Sequence, residues 1–202
     1  MAEILGVEPE GAYRPPTPPA ARVLPGRAGE LVEVFDRRVD DLFERHLRGN
    51  PVADRVMYGA SAVGDFSLLW HIVGTARALV GDERAEQEAV RLAVSLGVET
   101  ALINAGVKNL FRRSRPAWEQ HRPHGLRKPK SSSFPSGHAT SGFMAATLLG
   151  AGRPKQRPLW FALAAVVATS RIHVKIHHGS DVAAGALIGL GLGRLARKIW
   201  RL

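Results

Sequence analysis

Five apolar stretches, at about residues 56–80, 88–107, 138–152, 158–172 and 182–199, fill most of the chain beyond its first quarter and leave few folds open to it. Read as helices, they make an all-α bundle of about five to six helices, the sixth being an amphipathic segment ahead of them. Strict hydropathy does not certify any of the five as membrane-spanning. Asp65 interrupts the first and Glu99 the second, while the other three fall short of the ~20 apolar residues a span requires. The mean hydropathy of −0.07 is also low for a polytopic protein. Against this, Gly185, Gly189 and Gly193 repeat at the four-residue spacing of close-packed membrane helices, a spacing that soluble bundles share. Hydropathy alone leaves a polytopic membrane bundle and a soluble bundle both open.

The order of the stretches is more informative. In an up-and-down bundle, the polar segments 108–137 and 173–181 emerge at the same end, so their side chains meet at one mouth. Ahead of the bundle, residues 1–28 carry Pro15, Pro16, Pro18, Pro19 and Pro25 and read as an extended or disordered arm. Residues 29–55 read as an amphipathic helix and linker. Leu31, Phe35, Val39, Leu42, Phe43 and Leu47 recur at three- and four-residue steps, with Arg37, Arg38, Asp40, Asp41 and Glu44 between them. Such a helix either lies on a membrane surface or packs on the bundle formed by 56–202. The first thirty residues are proline-rich and polar, unlike a secretory leader.

Charge narrows the partner. The formal net charge is +10, and beyond Lys108 the only acids are Glu119 and Asp181. An anionic partner is expected: a phosphorylated substrate, an anionic membrane or a nucleic acid. Aromatic residues are sparse and not interleaved with the basic ones, which argues against nucleic acid. The absence of cysteine excludes disulfides and thiolate chemistry.

Three short strings carry the chemistry. Lys108 ends an apolar stretch, Arg115 follows seven residues on, and Pro116 stops the helix. With Arg171 from another helix end, two guanidinium forks and one ammonium can cover the oxygens of a phosphoryl group. Arg112, Arg113, Arg122, Arg127, Lys128 and Lys130 read as solvated loop charges that attract anions. The string Pro135-Ser136-Gly137-His138 opens an apolar run. Ser136 and Gly137 would therefore sit at a helix N-terminus, where free backbone N–H groups favour an anion, or would simply cap it. His138 is placed to donate a proton to a leaving oxygen. In the third string, His177 and Asp181 are one helical turn apart, so the carboxylate can fix the imidazole tautomer and leave the other nitrogen as a nucleophile. A metal held by His173, His177, His178 and Asp181 is the rival reading, which the surrounding cations disfavour.

Lys108-x6-Arg115-Pro116, Pro135-Ser136-Gly137-His138 and Ser170-Arg171-x5-His177-x3-Asp181 resemble, position by position, the three motifs of the type 2 phosphatidic acid phosphatase (PAP2) superfamily. The resemblance covers about residues 56–200. It implies an all-α fold that in many members crosses the membrane six times. It also implies a hydrolase that forms a phosphohistidine and needs neither cofactor nor metal. By resemblance His177 would be the nucleophile, Asp181 its orienting partner and His138 the general acid and then base. Lys108, Arg115, Arg171, Ser136 and Gly137 would bind phosphate. The expected protein is a multi-pass enzyme of the cell membrane that hydrolyses a polyprenyl or glycerolipid phosphate or diphosphate. A soluble acid phosphatase, a vanadium haloperoxidase (a much longer chain as a rule) and a non-catalytic lipid-binding protein are the alternatives.

Overall fold

The computed structural model describes residues 24–117, 122–129 and 131–202. Most of the proline-rich arm expected over 1–28 lies outside the described residues, and its last three residues already belong to the first helix, α1 (Gly26–His46). There follow α2 (Pro51–Val63), α3 (Leu68–Val80) and α4 (Glu83–Ala101). The last of these runs on through a π-helical turn (Leu102–Val107) into a final turn (Lys108–Leu110). A long loop then leads to α5 (Gly137–Leu149), α6 (Arg157–His173) and α7 (Gly179–Ile199). Among the described residues there is no strand.

Local chemistry sets the helix starts. Asn50 accepts from the N–H groups of Val52 and Ala53, with Pro51 behind it at a position where its missing N–H costs nothing. Asp82 and Ser136 cap α4 and α5 in the same way, accepting from Ala85 and Ala139.

Among the described residues there are seven helices rather than the expected five to six, because the apolar stretch 56–80 is not one helix. It breaks after Gly64, and α2 and α3 meet at a 66° bend. Phe66 and Ser67 adopt left-handed backbone there, with φ of +54° and +58°. Gly64 permits the turn because a Cβ at this position would fall 2.6 Å from the His138 ring. The bend therefore carries Asp65 to the site rather than leaving it inside a span.

The central helix is α5, buried along most of its length between α6 and α7. Trp70, Leu92, Leu96, Met144, Leu148 and Val167 form the main core, each worth about 1.5–3 kcal/mol of burial. The glycine stripe of α7 faces α5: a Cβ on Gly189 would sit 2.2 Å from the Thr140 carbonyl oxygen. The amphipathic α1 packs on the bundle, with Val39, Phe43 and Leu47 against Ala139, Ala168, Ile172 and Val182. Arg48 fastens it, donating to the Ile172 and His173 carbonyls at 2.8 and 2.9 Å. Leu31, Phe35 and Leu42 stay exposed on its other side.

The 28-residue run Glu83–Leu110 is long and apolar enough to cross a membrane, and the bent α2–α3 pair passes the same test as a unit. On α4 and at the start of the π-helical turn that continues it, Val90, Val94, Val98 and Leu102 form an outward apolar row one turn apart.

Candidate active site

The helix ends meet at one mouth of the bundle, as the order of the strings requires. Lys108 comes from the last turn of the α4 run and Arg115 from the following loop. Gly137 and His138 are the first residues of α5, Arg171 lies in the last turn of α6, and His177 sits in the connection to α7. All six line a single cavity of ≈ 170 Å³. Asp65, Glu99, Thr100, Asn104 and Arg127 line it too.

Arg115 is held by the loop that it crosses, donating to the carbonyls of Ser131 (3.1 Å), Ser132 (3.0 Å) and Ile176 (3.0 Å). One guanidinium nitrogen also lies 3.1 Å from His177 Nε2. Because a guanidinium only donates, His177 Nε2 accepts and the ring proton belongs on Nδ1. The Nδ1 atom faces Asp181 Oδ2 at 3.5 Å, longer than a formed hydrogen bond. Contacts of this kind in enzyme sites often tighten only with a ligand in place. Burial, reinforced by Arg115 and Arg171, pushes the His177 pKa down to about 3 against the pull of Asp181. Desolvation likewise lowers that of Arg115 to about 10, well above neutrality.

The i,i+4 relation between His177 and Asp181 does not lie within one helix, as the spacing suggested. His177 precedes the helix, His178 is the residue before its first turn, and Asp181 caps it by accepting from the His178 N–H at 2.9 Å. Ser133 Oγ donates to the same oxygen at 2.5 Å, and Arg113 donates to the other at 2.5 Å. Asp181 is thus fully enclosed and serves fold and site together.

Ser136 and Gly137 separate. The Ser136 hydroxyl caps α5, its N–H donates to the Asp181 carbonyl at 3.1 Å, and its side chain is fully buried. Gly137 lines the cavity, where a Cβ would lie 3.9 Å from Lys108 Nζ. His138 Nε2 lies 3.1 Å from the Ser61 carbonyl oxygen and 3.3 Å from Asp65. A carboxylate beside that ring is one the sequence strings do not contain. The Ser61 hydroxyl accepts from Arg171, whose Nε has no partner among the described residues.

Two loop cations read as solvated are not. Arg113 is only 4 % exposed, and Arg122 donates to the Val174 carbonyl at 2.5 Å. Arg127 stacks over Phe66 at 4.9 Å and borders the cavity. The four side chains considered as metal ligands do not converge. His173 bonds Asp54 at 2.7 Å, and His178 faces the Ser114 carbonyl at 3.3 Å. No group of three such residues is placed to hold a metal among the described residues.

Comparison with known proteins identifies the family. Residues 88–201, more than half of the chain, match the family model described as the PAP2 superfamily. The decaprenylphosphoryl-5-phosphoribose phosphatase of Mycobacterium tuberculosis is 32% identical over 143 residues, covering 70% of this chain and 77% of the relative. Two solved structures share the fold at 24% identity. LpxE of Aquifex aeolicus has a TM-score of 0.62 and covers 84% of this chain and 93% of its own. The transmembrane PAP2-type phosphatidylglycerolphosphate phosphatase of Bacillus subtilis has a TM-score of 0.63 and covers 91% and 93%. An all-α phosphatase is the class that fold and motifs define. The chain belongs to the PAP2 superfamily, and it is a phosphatase.

Proposed function

We propose that this chain is a multi-pass enzyme of the cell membrane that removes the phosphate from a sugar carried on a polyprenyl phosphate, through a phosphohistidine on His177 and without a metal. The observation that carries the mechanism is the setting of His177. Its Nε2 lone pair is turned to the cationic cavity beside Arg115, and its Nδ1 is turned to Asp181.

Lys108, Arg115, Arg171 and the N–H groups at the start of α5 hold the phosphoryl oxygens, where negative charge persists through the transition state. His177 Nε2 forms the bond to phosphorus as the ester P–O bond breaks. His138 gives its proton to the departing alkoxide. A water then attacks the phosphohistidine, losing its proton to His138, and inorganic phosphate leaves with His177 regenerated. Asp181 stabilises the positive charge on His177 while the phosphoryl group is attached.

The sugar is supported by the rest of the cavity. Asp65, Glu99, Thr100 and Asn104 are poor company for phosphate alone but good acceptors and donors for hydroxyl groups. The mycobacterial relative, named for a phosphoribose on a decaprenyl carrier, supports the same choice. Outward apolar rows on α4 support insertion in the bilayer.

The test is a substrate panel on detergent-purified protein with EDTA present: a polyprenylphosphoryl phosphopentose, a prenyl phosphate, a prenyl diphosphate, phosphatidate and a soluble phosphoester. The phosphopentose lipid should be hydrolysed fastest, and His177→Ala should release no phosphate. Activity lost in EDTA and restored by a divalent ion would sink the metal-free mechanism. Equal rates on the soluble phosphoester would favour the acid-phosphatase alternative.

A further inference from the structure

Asp181 does not end the chain of charged groups behind His177. Its Oδ1 accepts from Arg113 Nη1 at 2.5 Å, and the other fork of the same guanidinium donates to Asp36 Oδ2 at 2.5 Å. Asp36 belongs to α1, outside the region matched by the family model. Ser180 completes the cluster. Its N–H donates to Asp36 Oδ1 at 2.7 Å, its hydroxyl donates to Asp36 Oδ2 at 2.9 Å, and Arg113 Nη1 reaches that hydroxyl at 2.7 Å. All three charged groups are buried, with Asp36 at 7%, Arg113 at 4% and Asp181 at 0% exposure.

We infer that Asp36 and Arg113 are positioning residues for the phosphatase reaction, through which the N-terminal helix α1 sets the orientation and charge of Asp181. This rests on the reading of Asp181 as the partner of His177. With Arg113 fixing Oδ1, the carboxylate plane cannot turn, so Oδ2 stays directed at His177 Nδ1. A lone Arg113 would also neutralise much of the Asp181 charge that His177 needs. Arg113 keeps Asp181 ionised, and Asp36 on the same guanidinium leaves the cluster with a net negative charge behind His177. Stability alone is a weak account of the triad, because three buried charges are costly to desolvate and gain little over apolar packing. Arg113 also lies two residues before Arg115 in the same loop, so fixing one restrains the approach of the other.

The experiment is a double-mutant cycle on the full-length enzyme, measuring kcat and KM for a lipid phosphate. Asp36→Asn keeps the shape and removes the charge. It should lower kcat about tenfold or more with KM changed less than about twofold. In an Asp181→Asn background the same change should cost less than about twofold, because nothing remains for it to position. A structural role for Asp36 predicts equal losses in both backgrounds, which would overturn the inference. So would full kcat in Asp36→Asn. If Asp36→Asn does not fold, Arg113→Lys serves in the same cycle, with the same expected split and the same overturning result. Full activity in Asp181→Asn alone would instead remove the mechanistic reading on which the inference stands.

Discussion

His177 sits where an imidazole has every reason to stay neutral, buried beside two guanidinium groups with its one carboxylate partner at 3.5 Å. Neutrality is what the nucleophile proposed above needs, and it has a consequence for folding. Its pKa is pushed down to about 3, whereas in the unfolded chain it returns to about 6.5. Between these values the unfolded chain binds a proton that the folded chain does not. The stabilising contribution is therefore complete above about pH 6.5 and is lost as pH falls toward 3. Replacing His177 by Gln removes that dependence. The thermal midpoint of the wild type should fall more steeply than that of His177→Gln between pH 6.5 and 4, by an amount equivalent to at most a few kcal/mol. Parallel curves would show that burial does not hold this ring neutral. The residues of the three strings were legible because their chemistry is compact in sequence. Arg113 and Asp36 were not. One resembles any cation in a basic loop. The other had a faint signal: Asp36 lies three and seven residues before Val39 and Phe43, so it is a carboxylate on the apolar stripe of α1.

At the scale of elements, the glycine stripe and the broken helix show what spacing can and cannot say. Gly185, Gly189 and Gly193 were visible as a repeat, and the repeat does mark a close helix contact. What it faces, the backbone of α5, required the structure. The contact also matters to the site, since α5 begins with Gly137 and His138 while α7 begins beside His177. Gly189→Ala places a methyl group 2.2 Å from the Thr140 carbonyl and 3.0 Å from the Met144 nitrogen, neither of which can swing aside. It should destabilise the protein by about 1–3 kcal/mol and reduce activity as the helices part. Gly191→Ala, two residues on, meets nothing within 4 Å. It should be neutral or stabilising by about 0.5–1 kcal/mol through helix propensity alone. Thermal unfolding of both variants in the same detergent separates packing from propensity. The bend between α2 and α3 was hidden for a different reason. Asp65 reads as a flaw in an apolar stretch until the left-handed residues after it turn the carboxylate toward His138.

For the whole molecule, the unresolved choice in the sequence was between a soluble and a membrane bundle, and composition misleads on this point. The mean hydropathy is averaged over a basic mouth, a charged α1 and a polar arm, so it understates the bundle. The distribution of exposed side chains is more telling. Leu68, Ile72 and Leu79 on α3, Val90, Val94 and Val98 on α4, Leu159 on α6 and Leu187 and Leu195 on α7 all face outward. Polar groups gather instead at the inner ends, around the cavity. Among the described residues, the run Glu83–Leu110 and the bent α2–α3 pair are also long and apolar enough to cross a membrane. Hydrocarbon is the medium in which an apolar outer surface carries no cost. The protein should accordingly stay in the membrane pellet through alkaline carbonate extraction and be released only by detergent. Introducing charge at the middle of the α4 row, as in Val94→Lys, should impair insertion by about 2.5–3.5 kcal/mol while leaving the cavity side chains untouched. Release of the wild type by carbonate alone, or full tolerance of Val94→Lys in the membrane fraction, would mean that the apolar row is covered by protein rather than lipid.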